Sequence, residues 1–386
     1  MQSFTFLFRP FVSIFFLLIS GLVGACSAPT GAARIAVAMP LTGDLGPEGQ
    51  GLRRAVSLAV EEANASGKYP YKIEVKAWDD RAKPAQAVKA AQLIANDQGV
   101  VAVIGHYNSG CALAAAPVYA RAGLAMVMPS ASNPMVTRQQ NSRAWPGRRN
   151  VFRLVATDDV QGERMGKRLY AEGARQVAIV HDGTAYGRGL AVEVIKGFHK
   201  AGGHNKLQHR VEVGQRDFSQ TAAKVLAEKP SAVFFGGLYT EAGLLVKALR
   251  AAGFTGLFAS GDGARSPAFF DVAGEASDGA LISHVGVPAE ESPGAQEFVE
   301  NYRMRYAVAG QRLAQYDHYA YEAAWVVLDA LAAAGRDRYK VMEAIRNTDR
   351  PGVLGPLRFD WKGDARDAVV TFARVDYAER RFKSYQ

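Results

Sequence analysis

The residues whose types and spacing could do chemistry are Ser109, Ser130, Ser132, Tyr186, Tyr239 and Asp262. Ser109 stands near a helix start, where unpaired N–H groups favour a carboxylate. Ser130 and Ser132 follow an apolar run and precede Asn133-Pro134. Tyr186 lies in His181-Asp182-Gly183-Thr184-Ala185-Tyr186-Gly187, and Tyr239 in Phe235-Gly236-Gly237-Leu238-Tyr239-Thr240-Glu241. Asp262 lies in Ser260-Gly261-Asp262-Gly263. Together they offer donors for an anion, a carboxylate for an ammonium, and aromatic walls. A zwitterionic amino acid needs that set. Each residue alone would be an ordinary structural one; their shared placement after strands makes them a candidate site.

Catalytic arrangements do not assemble. No Gly-x-x-x-x-Gly-Lys-Ser/Thr loop is present. Gly261-Asp262-Gly263 continues as Ala264-Arg265-Ser266 and misses the last glycine of a dinucleotide fingerprint. Ser109-Gly110 lacks the first glycine of a nucleophile elbow. Cys111 near His106 reads as a buried, unreactive thiol. His199, His204 and His209 surround Gly202-Gly203 at no standard metal spacing. Asp79 and Asp80 precede Lys83-Pro84, where turn or capping roles are ordinary. The expectation is a binding protein with no catalytic residues, no metal and no cofactor.

The elements that must position these residues alternate strand and helix. Short β-branched runs predict strands at Arg34–Met39, Ile73–Ala77, Val100–Ile104 and Leu124–Met128. Apolar recurrence at helical spacing predicts helices over 52–63, 84–95 and 112–122. Thr42–Gly51 reads as a Gly-rich loop. The rhythm restarts with strands at Val177–Val180, Leu207–Val213, Ala232–Phe235 and Leu257–Ser260. Helices are expected over 190–201, 221–228 and 241–251. After Gly279 come a strand and helices over 294–308, 318–334 and 340–346, then strands and turns from Gly355. Two such arrays imply two α/β lobes, each a parallel sheet flanked by helices. In such sheets ligands sit beyond the carboxyl ends of the strands, so the candidate loops should face one cleft.

Composition sets the wider bounds. The chain has 386 residues, 48% hydrophobic and 22% charged, which fits two folded lobes. The formal charge of +9 is scattered, and the one dense spot is Arg143, Arg148 and Arg149. No basic stripe with aromatic platforms is visible, so these arginines read as a solvated loop and nucleic acid is not an expected partner. At the N-terminus, Arg9 is followed by the apolar run Phe11–Ile19 and small residues, the order of an export signal. Leu22-Val23-Gly24-Ala25-Cys26 resembles a bacterial lipoprotein box, with Cys26 as the lipid attachment point at the end of signal residues 1–26. Residues 27–33 read as a tether. The alternative is an ordinary signal cut nearby; either way the chain is expected to be exported, periplasmic and, if acylated, membrane-anchored.

Residues 34–386 resemble the leucine/isoleucine/valine-binding family, the substrate receptors of branched-chain amino acid ABC transporters. The resemblance rests on Val37–Gly43, Val103–His106, Pro129–Pro134, His181–Gly189, Phe235–Tyr239 and Gly355–Asp364, in that order. It implies a two-lobed Venus-flytrap of the type I periplasmic binding protein fold with three hinge crossings. Lobe 1 would comprise 34–153 and 285–353, and lobe 2 would comprise 154–284 and 354–386. It also implies a ligand carboxylate on Ser109 and Ser132, and an ammonium near the Ser130 carbonyl, Ser132 and Asp262. Tyr186 and Tyr239 would close over the ligand, and permease subunits would be the partner. The family usually has Glu where Asp262 stands. Glu48, in Pro47-Glu48-Gly49, replaces a frequent aromatic; facing the pocket it would disfavour an aliphatic ligand, and the other reading points it to solvent. Arg81 and Asn108 occupy the places of a disulfide found in some members. A receptor for an amide, urea or aromatic acid, or a tethered sensor, would fit the same fold.

Overall fold

Val-, Ile- and Ala-rich runs buried on both faces build the first sheet. Its strands are β1 (Ala33–Met39), β2 (Ile73–Asp79), β3 (Val100–Gly105), β4 (Ala125–Met128) and β5 (Val151–Arg153), in the order β2-β1-β3-β4-β5. Every neighbouring pair is parallel, so all five carboxyl ends share one edge. Helices α1 (Gly46–Ala65), α2 (Pro84–Asn96), α3 (Ser109–Arg121) and α4 (Met135–Arg138) connect them. This computed structural model describes residues 1–3, 31–306 and 313–385. The apolar signal run and Cys26 lie outside the described residues.

The chain leaves the first sheet through α5 (Asp158–Ala171) and starts a second. There follow β6 (Gln176–His181), α6 (Ala185–Lys200), β7 (His204–Arg210), α7 (Ser219–Ala227) and β8 (Ala232–Gly236). Next come α8 (Tyr239–Ala251), β9 (Leu257–Ser260), α9 (Pro267–Ala273) and β10 (Leu281–His284). Helices α10 (Gln296–Tyr306), α11 (Asp317–Ala334) and α12 (Arg338–Arg346) come next. Of these, α11 packs on α1, and α12 packs against β3 and β4. A hairpin of β11 (Asp349–Gly352) and β12 (Gly355–Arg358) precedes β13 (Thr371–Asp376) and β14 (Arg381–Tyr385). The second sheet runs β14-β13-β10-β9-β8-β6-β7.

Several elements differ from expectation. The second sheet is mixed rather than parallel, because β13 and β14 add antiparallel at its β10 edge. Strand β7 sits three residues before the expected span; its burial alternates, and polar outward residues masked the pattern. Helix α1 begins at Gly46, not Leu52, with proline in its first turn and Glu48 behind it. Gly49 lets this turn press on the preceding loop, since a Cβ there would lie 2.0 Å from the Pro40 carbonyl oxygen. The sequence reading had no α5, although Thr157-Asp158-Asp159 is an acidic helix start. The segment around Asp364 runs beside β5 of the first sheet, with Arg153 N donating to Gly363 O and Ala365 N to Arg153 O. Its placement follows from the buried Arg153, which holds Asp364 at 2.8 Å. Among the described residues no helix is long and apolar enough to cross a membrane. Residues 32–386 are one compact unit that holds the whole described core.

Candidate functional site

The loops beyond the carboxyl ends of both sheets enclose a cavity of 410 Å³. Ser109, Ser130, Ser132, Asn108, Tyr186 and Asp262 all line it. One end is set by α3. Its first internal bond runs from Ala112 N to Asn108 O, so the amides of Ser109, Gly110 and Cys111 precede the helical ladder. These three residues line the cavity, which receives the positive end of the helix. No side chain caps α3, and the Asn108 Oδ1 is buried without a partner. Ser130 spends its hydroxyl on the Tyr107 carbonyl, 3.1 Å away. Ser132 Oγ is buried with no hydrogen-bond partner.

Asp262 defines the other end. Gln161 Nε2 and the Tyr186 hydroxyl each donate to its Oδ1 at 2.8 Å, and the Tyr316 hydroxyl donates to Oδ2. Tyr186 also accepts the Gly263 amide at 2.9 Å. Burial raises the Asp262 carboxyl above its usual range, against the pull of these donors. Burial and the Asp262 charge push both phenols up, which keeps them protonated as donors. Asp158 lies close by, and both its oxygens are buried without a partner. Burial, then the Asp262 charge, raises it well above the carboxylate norm. Asp262 lines the cavity and Asp158 does not; a positive group in the cavity beside Asp262 would offset the burial that raises it.

Two expected ligand residues stand elsewhere. Tyr239 is not in the cavity wall; its hydroxyl donates to the Asp44 carbonyl at 2.6 Å and joins the two sets of loops. Glu48 faces neither the main cavity nor open solvent. Because α1 starts early, its carboxylate is carried to Ser266, whose hydroxyl donates to it at 2.9 Å. Its Oε2 is buried and unpartnered, and burial raises its pKa. Glu48→Gln should therefore leave ligand affinity within about threefold and stabilise the protein at neutral pH by roughly 1 kcal/mol, as a buried charge is removed. Calorimetric titration beside urea unfolding reads both; an affinity loss above tenfold would return Glu48 to the ligand.

Gln161, Tyr316, Tyr107 and Asp158 were missed. Only Asp158 had a local signal, the acidic helix start. Tyr107 lines the cavity beside Tyr316, with ring centres 5.8 Å apart. The remaining candidates have structural partners. His106 lies between Asp80 at 2.6 Å and the Tyr119 hydroxyl at 3.0 Å. Burial pushes the Cys111 thiol up, away from thiolate chemistry. Asp79 accepts from the Leu41 and Arg81 amides and from Thr42, a turn role. His199 meets Asn205 at 2.8 Å. No group of three or more metal-type side chains forms among the described residues.

Comparison with known proteins gives the family and the fold. Residues 32–380 match the family described as periplasmic binding protein. The Leu/Ile/Val-binding protein homolog 2 of Brucella abortus is 36% identical over 336 residues, 86% of each chain. The leucine-, isoleucine-, valine-, threonine-, and alanine-binding protein of Pseudomonas aeruginosa is 30% identical over 342 residues, 88% of each chain. A leucine binding protein of Thermotoga maritima superposes with a TM-score of 0.81 at 30% identity, over 92% of this chain and 98% of its own. Such proteins bind substrates and are not enzymes. The chain belongs to the periplasmic binding protein family, in its branched-chain amino acid-binding branch, and has the type I fold of that family.

Proposed function

We propose that this chain is the exported receptor of an ABC importer and binds a branched-chain or related α-amino acid between its lobes. One observation carries the reading: the N-terminus of α3 and the buried Asp262 carboxylate open into the same cavity. The ligand carboxylate would take the free amides with Ser109 and Ser132. The ammonium would take Asp262, with the Ser130 carbonyl beside it. The named ligands of the Brucella and Pseudomonas relatives support the same class. The lobes would divide near residues 153, 284 and 354, with Asp364 crossing back. Contacts such as Asn133 Nδ2 to Ala185 O, 2.6 Å, and Tyr239 to Asp44 would form on closure and break on opening. Ligand would then shift a population toward the closed form that a permease recognises. Acylation of Cys26 would hold the receptor at the membrane.

A thermal-shift series tests this. Leucine, isoleucine and valine are compared with 4-methylpentanoate and 3-methylbutylamine, which each lack one charge of leucine. At a hundred times its dissociation constant, an amino acid should add about 2.7 kcal/mol of stability. Each analogue should give a small fraction of that shift. Equal stabilisation by 4-methylpentanoate, or by an amide or urea, would overturn the amino-acid reading.

A further inference from the structure

We infer that the end of the first lobe opposite the ligand cavity is a docking face for anionic phospholipid headgroups. The dense arginines of the sequence, Arg143, Arg148 and Arg149, sit on the loop that leads into β5. Three distant segments converge there. Arg148 lies over the Tyr339 ring, 5.1 Å from its centre. Trp145 Nε1 donates to the Arg148 carbonyl at 3.1 Å. Arg149 Nη1 donates to the Trp361 carbonyl at 2.8 Å, and Arg346 donates to the Arg149 carbonyl. Trp361 is 65% exposed and Tyr339 47%. The result is a cationic surface with two outward aromatic side chains.

The charge there is not balanced. Glu343 reaches Arg148 only at 3.9 Å, and Asp360 is taken by Lys362 at 3.2 Å. Arg143 and Arg149 have no acidic partner among the described residues. The orientation is fixed by the parallel sheet. Arg149 lies two residues before β5, and Tyr339 packs on Gly123 just before β4. Both mark the amino ends of the strands, and the cavity loops follow the carboxyl ends. Ala33, which opens β1, lies at this same amino end. Cys26, the lipid attachment point in the function proposed above, is seven residues upstream of it in sequence.

An anionic bilayer fits this chemistry better than nucleic acid. Exposed tryptophan and tyrosine beside arginine suit the headgroup region. A stacking platform for bases needs a free ring face, and Arg148 covers one face of Tyr339. Each cation near an anionic surface strengthens partitioning about fivefold.

The test uses residues 32–386, the compact unit with its whole core and no lipid. Co-sedimentation is measured with vesicles of equal parts phosphatidylglycerol and phosphatidylcholine, and with pure phosphatidylcholine. We expect binding to the mixed vesicles alone, reversed by high salt. Arg148→Gln/Arg149→Gln should weaken it about 25-fold, and Trp361→Ala should weaken it further. Lys224→Gln/Lys247→Gln, exposed sites on α7 and α8 that remove equal charge, should bind as the parent does. The ligand-induced thermal shift of the Arg variant reports that it is folded. No binding to the mixed vesicles overturns the proposal, as does equal weakening by both double variants. Retention on single-stranded DNA with no vesicle binding would assign the face to nucleic acid instead.

Discussion

Asp262→Asn should cut amino-acid affinity by a hundredfold or more without destabilising the free protein. The ligand ammonium would be buried against Asp262, whose side-chain partners among the described residues are the neutral donors Gln161, Tyr186 and Tyr316. Removing one member of a buried charge pair costs about 3–5 kcal/mol, because the other charge stays desolvated. Asparagine keeps the size and one acceptor oxygen, so the cavity wall stays in place. The free protein loses nothing comparable. There Asp262 is a buried carboxyl next to Asp158, and both titrate above their ordinary range. A raised native pKa means that the folded state holds its proton more tightly than the unfolded state. Stability of the free protein then falls as pH rises from the unfolded carboxylate value through the raised native one. Asp262→Asn removes that loss and should flatten the profile. Urea midpoints across pH, together with calorimetric affinities at neutral pH, give the answer. A tenfold loss or less would mean that Asp262 serves its tyrosine partners rather than a ligand amine.

The second large effect belongs to Arg153. This side chain is fully buried at the end of β5. Its guanidinium donates to Asp364 Oδ1 at 2.8 Å, to the carbonyls of Ala131 and Asn133 at 3.1 and 2.8 Å, and to Thr137 Oγ1 at 2.6 Å. It therefore ties the loop carrying Ser130 and Ser132 to the C-terminal segment. Burial alone would raise the Asp364 carboxyl, but the Arg153 charge and Lys362 hold it below the usual range. The contribution of Asp364 is thus present above the unfolded carboxylate value and is lost as pH falls through its lowered native one. Arg153→Met leaves the buried Asp364 with Lys362 and Thr137 but without its guanidinium, and releases two carbonyls. Destabilisation of about 3–5 kcal/mol is expected, with weaker ligand binding because Ser132 is no longer held. Arg153→Met/Asp364→Leu should recover much of the stability but not the loop geometry, so affinity should stay low. Urea unfolding and titration of both variants separate the two effects. A loss under about 1 kcal/mol in the single variant would place the cluster among replaceable contacts.

Period-2 and helical spacing read most of the alternating elements and the loops after their strands, but not α5. Ser109, Ser130, Ser132, Tyr186 and Asp262 follow from that reading, because a parallel sheet places such loops on one edge. Strand-following position is a local property, so local pattern carried it. Contacts between residues far apart in the chain were not legible. Tyr316 and Gln161 lie 54 and 101 residues from Asp262 and meet it only through the fold. Glu48 left two directions open, and the early start of α1 sent it to a third, toward Ser266. The arginines at 143–149 read as a solvated loop because their aromatic neighbours, Tyr339 and Trp361, are about two hundred residues away in sequence. Sequence by itself determined which loops hold hydroxyls, amides and a carboxylate. Tertiary structure decided which of these share one cavity, since burial and hydrogen-bond partners depend on packing between lobes rather than on neighbours along the chain.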